Sequence, residues 1–278
     1  MLNNIVGNTP LIKLKSGIYA KLETYNPTGS IKDRIIKYIV NSAILSGEIK
    51  RDTILVEATS GNTGIALSAM GAHIGNEVNI IMPKNMSEER REMMRFFGAK
   101  IIDVPDSDFG GAIELRNKMV SDGAWSPMQF ENSENIDCHM TTTAVEIYEQ
   151  TTSMGLDWGA FVSGAGTGGT MMGISRFANK NNLDVKSILM QPFEDPHGIQ
   201  GVGDGGKYLL DTSIVDRAVE IKTKDAISRA KKLSKELGIP VGISSGANVL
   251  ASESIFDKFS RDIVTIICDR GERYLSVY

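Results

Sequence analysis

The sequence predicts an α/β fold with mostly parallel sheets, and three observations support this prediction. Apolar strand-like runs alternate with amphipathic helical segments along the chain, as in successive βαβ units. Two runs, TILVEA at 53–58 and DIVTIICD at 262–269, are apolar almost throughout, as expected of strands buried on both faces. Three loops between a strand and a helix are rich in Gly, Ser and Thr. In an open parallel sheet such loops meet at the carboxyl edge, where ligands bind.

Strands are predicted where short apolar or β-branched runs lie between turn residues. They are 7–14, 18–23, 53–58, 77–83, 100–104, 158–163, 187–192, 218–222 and 262–269. Helices are predicted where apolar residues recur with helical spacing. They are 30–46, 65–73, 87–98, 111–121, the second half of 129–150, the segment from the end of 164–170 to 179, 224–237, and the segment opened by 242–248. Ser30 and Ser87 are the predicted N-caps, and Gly47 and Gly98 the predicted ends.

The composition excludes several classes of protein. With 278 residues, 41% of them hydrophobic and 23% charged, the chain is an ordinary globular protein long enough for two domains. Its net charge of −4 and the lack of a basic cluster argue against nucleic acid as a partner. No apolar run is long enough to span a bilayer and no signal peptide is evident, so we expect a soluble, cytoplasmic protein. The cysteines and histidines lack metal-ligand spacing, so no metal is expected.

The segment NPTGSIKDR at 26–34 places a lysine at the start of a helix. A turn comes first, because Pro27 presets φ and Gly29 supplies positive φ. Lys32 then lies in the first helical turn, where the backbone N–H groups and the helix dipole disfavour a cation. A neutral amine is the form that attacks an aldehyde to give a Schiff base. The segment therefore indicates a Schiff-base lysine, and the alternative is a solvated lysine at a helix start.

The loop GAGTGGT at 164–170 is suited to bind a phosphate group. Its glycines let the backbone approach an anion closely, and its N–H groups point out of a helix start. Three of its glycines match the dinucleotide fingerprint, but Gln191 stands where the confirming acid is needed. Thr170 stands where a Walker motif needs lysine. A phosphate monoester therefore fits better than a dinucleotide or a triphosphate, and the alternative is a turn needed only for packing.

Two further loops carry hydroxyl groups at predicted helix starts. In TSGNTG at 59–64, three hydroxyls and the nearby N–H groups are suited to hold a carboxylate. In GISSGAN at 242–248, Ser244 and Ser245 lie at a helix entry. Helix capping is the alternative role of both loops.

A lysine after a turn, a carboxylate loop, a phosphate loop and a late serine together indicate pyridoxal phosphate. Several long motifs, in order, resemble those of the fold-type II pyridoxal-phosphate enzymes, and within them the cysteine synthases (O-acetylserine sulfhydrylases), most nearly the bacterial B-type isozyme. The motifs are EATSGNTGIAL (57–67), MPKNMSEERR (82–91), HMTTTAVEI (139–147) and IICDRGERYLS (266–276). The resemblance implies a tryptophan synthase β-like fold of two α/β lobes with mostly parallel sheets. The larger, cofactor-binding lobe would be residues 1–40 and 131–278, and the smaller, mobile lobe with the substrate-carboxylate loop would be residues 41–130.

The resemblance also implies a role for each matching position. Lys32 would hold the cofactor as a Schiff base and exchange the proton at the substrate α-carbon. Asn62 would bond the ring hydroxyl, and Ser244 would face the pyridine nitrogen. The glycine-rich loop would hold the cofactor phosphate through Gly164, Gly166, Thr167, Gly168, Gly169 and Thr170. The substrate would be held by Thr59, Ser60, Asn62, Thr63, Gln129 and Gly201.

The implied activity is that of a transferase of cysteine biosynthesis, which makes L-cysteine from O-acetyl-L-serine and sulfide through an aminoacrylate. A homodimer and a complex with a serine acetyltransferase are further implications. Asp204 stands in a loop where the B-type pattern has paired arginines, which favours sulfide over thiosulfate as the donor. The open alternatives are another donor or substrate (thiosulfate giving S-sulfocysteine, O-phosphoserine, or homocysteine giving cystathionine) and a non-catalytic ligand-binding homologue.

Overall fold

Two sheets organise the protein, whose computed structural model describes residues 2–203 and 209–278. The strands are β1 (Leu11–Lys13), β2 (Tyr19–Leu22), β3 (Leu55–Ala58), β4 (Val78–Pro83), β5 (Lys100–Val104), β6 (Trp158–Gly164), β7 (Lys186–Pro192), β8 (Arg217–Ile221) and β9 (Asp262–Ile267). In the described residues the larger sheet has the order β1-β2-β9-β6-β7-β8, and the smaller sheet has the order β3-β4-β5. Among these strands only β1 runs antiparallel to its neighbour. The predicted fold class is confirmed.

The helices alternate with the strands, as the sequence pattern predicted. They are α1 (Lys32–Ser46), α2 (Asn62–Ile74), α3 (Glu88–Phe96), α4 (Phe109–Ser121), α5 (Glu134–Cys138), α6 (Ala144–Ser153), α7 (Gly169–Lys180), α8 (Thr223–Leu237) and α9 (Ile243–Phe256). A π-helical turn (His139–Thr143) joins α5 to α6. Short 3-10 turns lie at Leu2–Asn4, Glu23–Tyr25, Thr212–Ile214 and Gly271–Tyr274.

The predicted end of α1 is confirmed, whereas the predicted starts of several helices are wrong by a few residues. Gly47 ends α1 in the left-handed conformation with φ of 82°, which only glycine adopts at little cost. Ile31, not Ser30, is the residue before α1, because Ser30 is extended and forms a β-bridge with Asp269. Ser87 does precede α3, but its hydroxyl makes no capping hydrogen bond.

Two of the loops singled out for ligand binding turn out to be partly helical. α2 begins at Asn62, inside TSGNTG, and α9 begins at Ile243, so that both serines of GISSGAN lie in its first turn. The segment 129–150, predicted to be a loop and one helix, contains α5, the π-helical turn and most of α6. Gly, Ser and Thr have low helix propensity, so the sequence pattern places helix starts too late in such segments.

The hydrophobic core divides between the two sheets. Ile35, Ile36 and Ile39 of α1 pack with residues of α2 and of the smaller sheet. Apolar residues of α9 cover β6, β7 and β9 on one side, and apolar residues of α7 cover β6 and β9 on the other. The predicted lobe boundary between residues 40 and 41 therefore falls inside a helix that packs on the smaller sheet. The division into a larger and a smaller lobe, and the mobility of the smaller one, stay predictions.

Candidate active site

A cavity of about 660 Å³ opens between the two sheets. Its walls are the loops that follow β3 and β6, the first turns of α1, α2 and α9, and the segments that follow β7 and β9. Carboxyl ends of parallel strands and starts of helices thus meet in one place, as the sequence predicted. Helix starts present N–H groups and a positive dipole end, so the cavity is suited to an anionic ligand.

The turn before α1 holds Lys32 at the edge of this cavity. Gly29 has φ of 81°, and the Ser30 hydroxyl accepts a hydrogen bond from the Lys32 N–H at 3.2 Å. The turn is braced from inside, since the Thr28 N–H donates to Asp33 Oδ2 at 2.7 Å and its hydroxyl donates to Oδ1. Burial raises the pKa of Asp33 to about 6, although the Thr28 hydrogen bonds lower it. Lys32, half-buried, lines the cavity.

The glycine-rich loop follows β6 and leads into α7. Gly168 has φ of 86°, and a Cβ there would lie 2.4 Å from the Leu210 N atom. A Cβ at Gly166 would lie 2.4 Å from the Gly201 carbonyl oxygen, so this neighbouring segment also needs glycine in the loop. Both glycines line the cavity, where their small size brings the backbone close to a ligand. The loop therefore has both a packing role and the geometry of an anion cradle.

Two buried side chains support the threonines of this loop. The Thr167 hydroxyl accepts a hydrogen bond from Asn135 Nδ2 at 3.0 Å, and the Thr170 hydroxyl lies 3.2 Å from His139 Nε2. Burial lowers the pKa of His139 well below its ordinary value, and the nearby charges of Arg34 and Lys32 lower it further. The imidazole is therefore neutral at physiological pH, and it lies within hydrogen-bond distance of the Thr170 hydroxyl through Nε2 and of the Thr143 hydroxyl through Nδ1.

The substrate-carboxylate loop predicted from TSGNTG lies on the opposite wall. Thr59 and Ser60 are half-buried beside the cavity, and the buried Thr63 hydroxyl donates to Gln129 Oε1 at 2.6 Å. Gln129 comes from a distant part of the chain and is itself buried, yet it also lines the cavity. The two predicted substrate residues Thr63 and Gln129 are thus in direct contact.

Asn62 is engaged by two charged residues that follow β9. Its Nδ2 donates to Asp269 Oδ2 at 2.7 Å, and its Oδ1 accepts from Arg273 Nη1. The Tyr274 hydroxyl also donates to Asp269 Oδ2. Burial raises the pKa of Tyr274 well above its ordinary value, and the charge of Asp269 adds to the shift. Tyr274 therefore stays a neutral donor.

Ser244 faces the cavity from the first turn of α9. Its neighbour Ser245 points away and accepts a hydrogen bond from the Cys268 N–H at 2.9 Å. Burial raises the pKa of Cys268 to about 12, with a contribution from the negative charge of Asp269. The thiol is therefore protonated at neutral pH. The structure places Ser244, the serine that the resemblance assigned to the cofactor, in the cavity wall and gives Ser245 a contact with the backbone.

Most of the predicted site residues line this one cavity. They are Lys32, Thr59, Ser60, Asn62, Thr63, Gln129, Gly164, Gly166, Thr167, Gly168, Thr170, Gly201 and Ser244. Gly169 is the exception: it opens α7 behind the wall, where a Cβ would lie 2.0 Å from Asn135 Oδ1. The roles assigned to these residues stay predictions. Asp204, which the sequence singled out for donor choice, lies outside the described residues.

Three buried charged or aromatic residues of the cavity wall were not predicted from the sequence. Arg90, Asp269 and Tyr274 all line it, although each is at least nine-tenths buried. The Arg90 guanidinium lies 4.9 Å from the centre of the Tyr274 ring. Each of the three belongs to a motif that carried the resemblance, MPKNMSEERR or IICDRGERYLS, but no pattern within the motifs indicates that their side chains turn inward.

The described residues fit pyridoxal phosphate. The cavity brings together an amine on Lys32, an anion cradle at the start of α7, an amide on Asn62 and a hydroxyl on Ser244. In addition, Asp269 Oδ1 is buried without a hydrogen-bond partner among the described residues. A buried polar atom without a partner is costly, and it is common at sites that receive a ligand.

Within residues 2–203 and 209–278, no three side chains of the kinds that bind metal ions gather in one place. None of the helices in the described part of the chain has the length and apolar character that crossing a bilayer requires.

Comparisons with known proteins agree on one family. Residues 2–269 match the family described as pyridoxal-phosphate dependent enzymes. Cysteine synthase B of Escherichia coli (strain K12) is 40% identical over 290 residues, which cover 99% of this chain and 94% of that protein. The structure of a hydrogen sulfide-producing enzyme from Fusobacterium nucleatum matches with a TM-score of 0.91 at 40% identity, covering 99% of this chain and 89% of that chain. A cysteine synthase from Entamoeba histolytica matches with a TM-score of 0.91 at 37% identity, with coverages of 99% and 89%.

Proposed function

The chain belongs to the family of pyridoxal-phosphate dependent enzymes, and on this premise we propose that it makes L-cysteine from O-acetyl-L-serine and sulfide. The observation that carries the proposal is that Lys32, the anion cradle and the carboxylate loop line one cavity. The chain is also 40% identical to a cysteine synthase B over 99% of its length. The reaction is a β-replacement, in which the acetate group leaves the β-carbon of the amino acid and sulfide takes its place.

Lys32 has two tasks in this proposal. Its Nζ would hold the cofactor, and the amine would take the proton from the α-carbon of the amino acid. Bound pyridoxal phosphate supplies an electron-withdrawing ring that stabilises negative charge at that carbon. The braced turn at Thr28 and Asp33 keeps the lysine at the cavity edge, because buried hydrogen bonds at 2.7 Å resist displacement.

Ser244 determines how strongly the ring withdraws electrons. It would offer a neutral hydroxyl to the pyridine nitrogen, whereas a carboxylate there would favour a protonated nitrogen. A weaker electron sink disfavours a long-lived carbanion and favours prompt loss of the β-substituent. The glycine-rich loop holds the phosphate group through its N–H groups at the start of α7.

The substrate carboxylate is bound by hydroxyl and N–H donors without a lysine or arginine of the same loop. Thr59, Ser60 and Thr63 supply the hydroxyls, Gln129 holds Thr63 in place, and Gly201 lines the opposite wall. Neutral donors at a helix start bind an anion and leave the amine of the substrate unhindered. Capture of the carboxylate would draw the smaller lobe, residues 41–130, over the cavity and exclude water.

The test is product identification by mass spectrometry. The purified protein, loaded with pyridoxal phosphate, is incubated with O-acetylserine and, in parallel, with sulfide, thiosulfate or homocysteine. Cysteine formed fastest with sulfide supports the proposal. A preference for thiosulfate or homocysteine would show that the argument from Asp204 is wrong, and a protein that stays colourless with added cofactor would point to a ligand-binding homologue.

A second candidate is release of hydrogen sulfide from L-cysteine. The observation in its favour is the 40% identity to the Fusobacterium nucleatum enzyme described as hydrogen sulfide-producing. Both functions begin with loss of the β-substituent, which is acetate from O-acetylserine or sulfide from cysteine. They differ in the nucleophile that takes its place, which is sulfide in cysteine synthesis and water, giving serine, in sulfide release, and the cavity described above serves both. Sulfide detection with cysteine as the only amino acid separates the two: release faster than cysteine synthesis favours this second function.

We also propose the assembly and surroundings that the resemblance implies. They are a homodimer, a cytoplasmic location and a complex with a serine acetyltransferase. Light scattering coupled to size exclusion measures the first, and a monomer at micromolar concentration would contradict it. Co-elution with a purified serine acetyltransferase tests the complex.

A further inference from the structure

The side-chain amide of Asn62 is held at both ends by buried charged groups. Its nitrogen donates to Asp269 and its oxygen accepts from Arg273. Asp269 is 1% exposed and Arg273 is 2% exposed. Asn62 begins α2 beside the smaller sheet, whereas its two partners follow β9 of the larger sheet. We call Asn62, Asp269 and Arg273 the amide clamp.

The chemistry of the two partners determines which way the amide faces. An ionised carboxylate only accepts hydrogen bonds, and a guanidinium only donates them. The amide nitrogen must therefore face Asp269 and the amide oxygen must face Arg273. A flipped amide would lose both hydrogen bonds and leave two buried charges facing groups of the wrong kind, which is strongly unfavourable.

This orientation leaves a donor for a ligand. An amide nitrogen carries two N–H groups, and the contact with Asp269 uses one of them. Asn62 lines the cavity, so the second N–H is the group that it can offer there. The ring oxygen of pyridoxal phosphate accepts such a hydrogen bond best when it is ionised. A clamped amide therefore favours the ionised state of the ring oxygen.

Arg273 also connects the clamp to the lysine turn. Its Nη2 donates to the Thr28 carbonyl oxygen at 2.7 Å, and the Thr28 N–H donates to Asp33, the residue after Lys32. Its Nε is buried without a partner among the described residues. One guanidinium thus contacts both the amide expected at the cofactor ring and the turn that carries the expected Schiff-base lysine.

We propose that Asp269 and Arg273 are positioning residues that orient Asn62 toward the ring oxygen of pyridoxal phosphate. They act through Asn62 and thereby set the affinity and the visible absorption of the bound cofactor. This inference rests on the proposed function, because it takes Asn62 to contact the cofactor.

To test this proposal, cofactor-free protein is titrated with pyridoxal phosphate and the absorption spectrum is recorded, because the spectrum reports the protonation state of the ring oxygen. Asp269→Asn offers Asn62 a donor as well as an acceptor, and Arg273→Met removes the donor, so each variant removes one of the two contacts that fix the orientation of the amide. We expect each to weaken cofactor binding at least tenfold and to change the absorption bands. Arg273→Lys keeps a group that only donates and should restore the wild-type bands. Glu272→Gln, an exposed neighbour, is the matched control and should leave both readouts unchanged.

A second measurement separates orientation of Asn62 from support of the fold. If the clamp acts through Asn62, Asp269→Asn has no further effect on affinity or spectrum once Asn62→Ala is present. If the two substitutions instead acted independently through the fold, their effects on affinity would be additive. Circular dichroism of each cofactor-free variant shows that it is folded.

Two results would overturn the inference in distinguishable ways. A wild type that does not bind pyridoxal phosphate would overturn the proposed function and this inference together. A wild type that binds it, with folded Asp269→Asn and Arg273→Met variants of unchanged affinity and spectrum, would overturn the inference alone. Additive effects in the Asn62→Ala background would also contradict it.

Discussion

Lys32 and Arg34 are two residues apart on α1, yet they belong to polar regions of opposite character. Arg34 lies in an ion-pair cluster with Lys21, Glu23 and Glu146, away from the cavity. It makes five hydrogen bonds, to Glu23, Glu146 and Thr9. No buried side-chain nitrogen or oxygen of this cluster lacks a partner among the described residues. Lys32 instead lines the cavity.

The cavity wall and the side chains that support it are incompletely hydrogen-bonded. In the described residues, five of the seven buried side-chain atoms without a partner lie in or next to this wall: they belong to Ser87, Arg90, Asn135, Asp269 and Arg273. A saturated cluster can only stabilise the fold, because it has no donor or acceptor left for a ligand. An unsaturated one reduces stability and has groups left to bind. The two regions are therefore distinguished by whether their buried polar groups all have hydrogen-bond partners: those of the structural cluster do, and several at the candidate site do not.

The largest expected effect concerns Lys32→Ala. Removing the amine that attacks the cofactor and moves the α-proton should lower the rate of cysteine formation by a factor of about 1,000 or more. The free energy of unfolding of the cofactor-free protein should change by less than about 1 kcal/mol, because the residue is only half-buried. Steady-state kinetics and urea unfolding measure the two. Full activity would refute the role of Lys32. A loss of stability as large as that expected for Arg34→Met would contradict the distinction between the two regions.

The opposite result is expected for Arg34→Met, because it leaves Glu23 buried without its cation. We expect a loss of about 3 to 5 kcal/mol in the free energy of unfolding. The matched control is Arg95→Met, which breaks an exposed pair with Glu88 and should change stability by less than about 1 kcal/mol. Urea unfolding compares them. Equal effects of the two substitutions would show that saturation does not distinguish the buried cluster.

The two regions should also respond to acid with opposite signs. Burial alone would raise the pKa of Glu146, but the hydrogen bonds and charges of Arg34 and Lys21 lower it to about 2. Its contribution, about 3 kcal/mol, is present above its unfolded pKa and lost as the pH falls toward 2. Burial raises the pKa of Asp33 to about 6, so stability linked to Asp33 is present below its unfolded pKa and lost as the pH rises through 6.

Urea unfolding between pH 3 and pH 8 tests these signs with one variant for each region. Glu146→Gln should remove part of the loss of stability in acid, and Asp33→Asn should remove part of the loss on going from pH 4 to pH 7. If Asp33→Asn instead steepened the decline toward neutral pH, the raised pKa would be wrong.

The smallest expected effect is that of Thr63→Val in the carboxylate loop. It removes the donor to Gln129 Oε1 and leaves a buried acceptor, at a cost of about 1 to 2 kcal/mol. Because the hydroxyl is also expected to contact the substrate carboxylate, KM for O-acetylserine should rise about tenfold. Thr63→Ser keeps the hydroxyl and is the control. An unchanged KM for Thr63→Val would remove this residue from the substrate site.

Much of the fold was predictable from local patterns. The apolar runs and their turn residues located β5 to the residue and most other strands within two or three residues. The prediction of β1 as 7–14 was too long, because residues 7–10 lie outside the strand. The N–H groups of residues 7–9 donate hydrogen bonds to the Asn26 side-chain amide and the Glu146 carboxylate instead. The contacts with Glu146 join residues more than a hundred positions apart, and no local pattern encodes them.

The sequence by itself determined the α/β class, the Lys32 turn and the glycine-rich loop, because each depends on residues that are neighbours in the chain. Only the tertiary structure decided that Gly169 lies behind the cavity wall and that Asp269 and Arg273 hold Asn62. The physical reason is that these placements depend on how α7 packs against α5 and on how the segment after β9 packs against the start of α2. Packing between segments that are distant in the sequence determines which residue pairs with a buried charge.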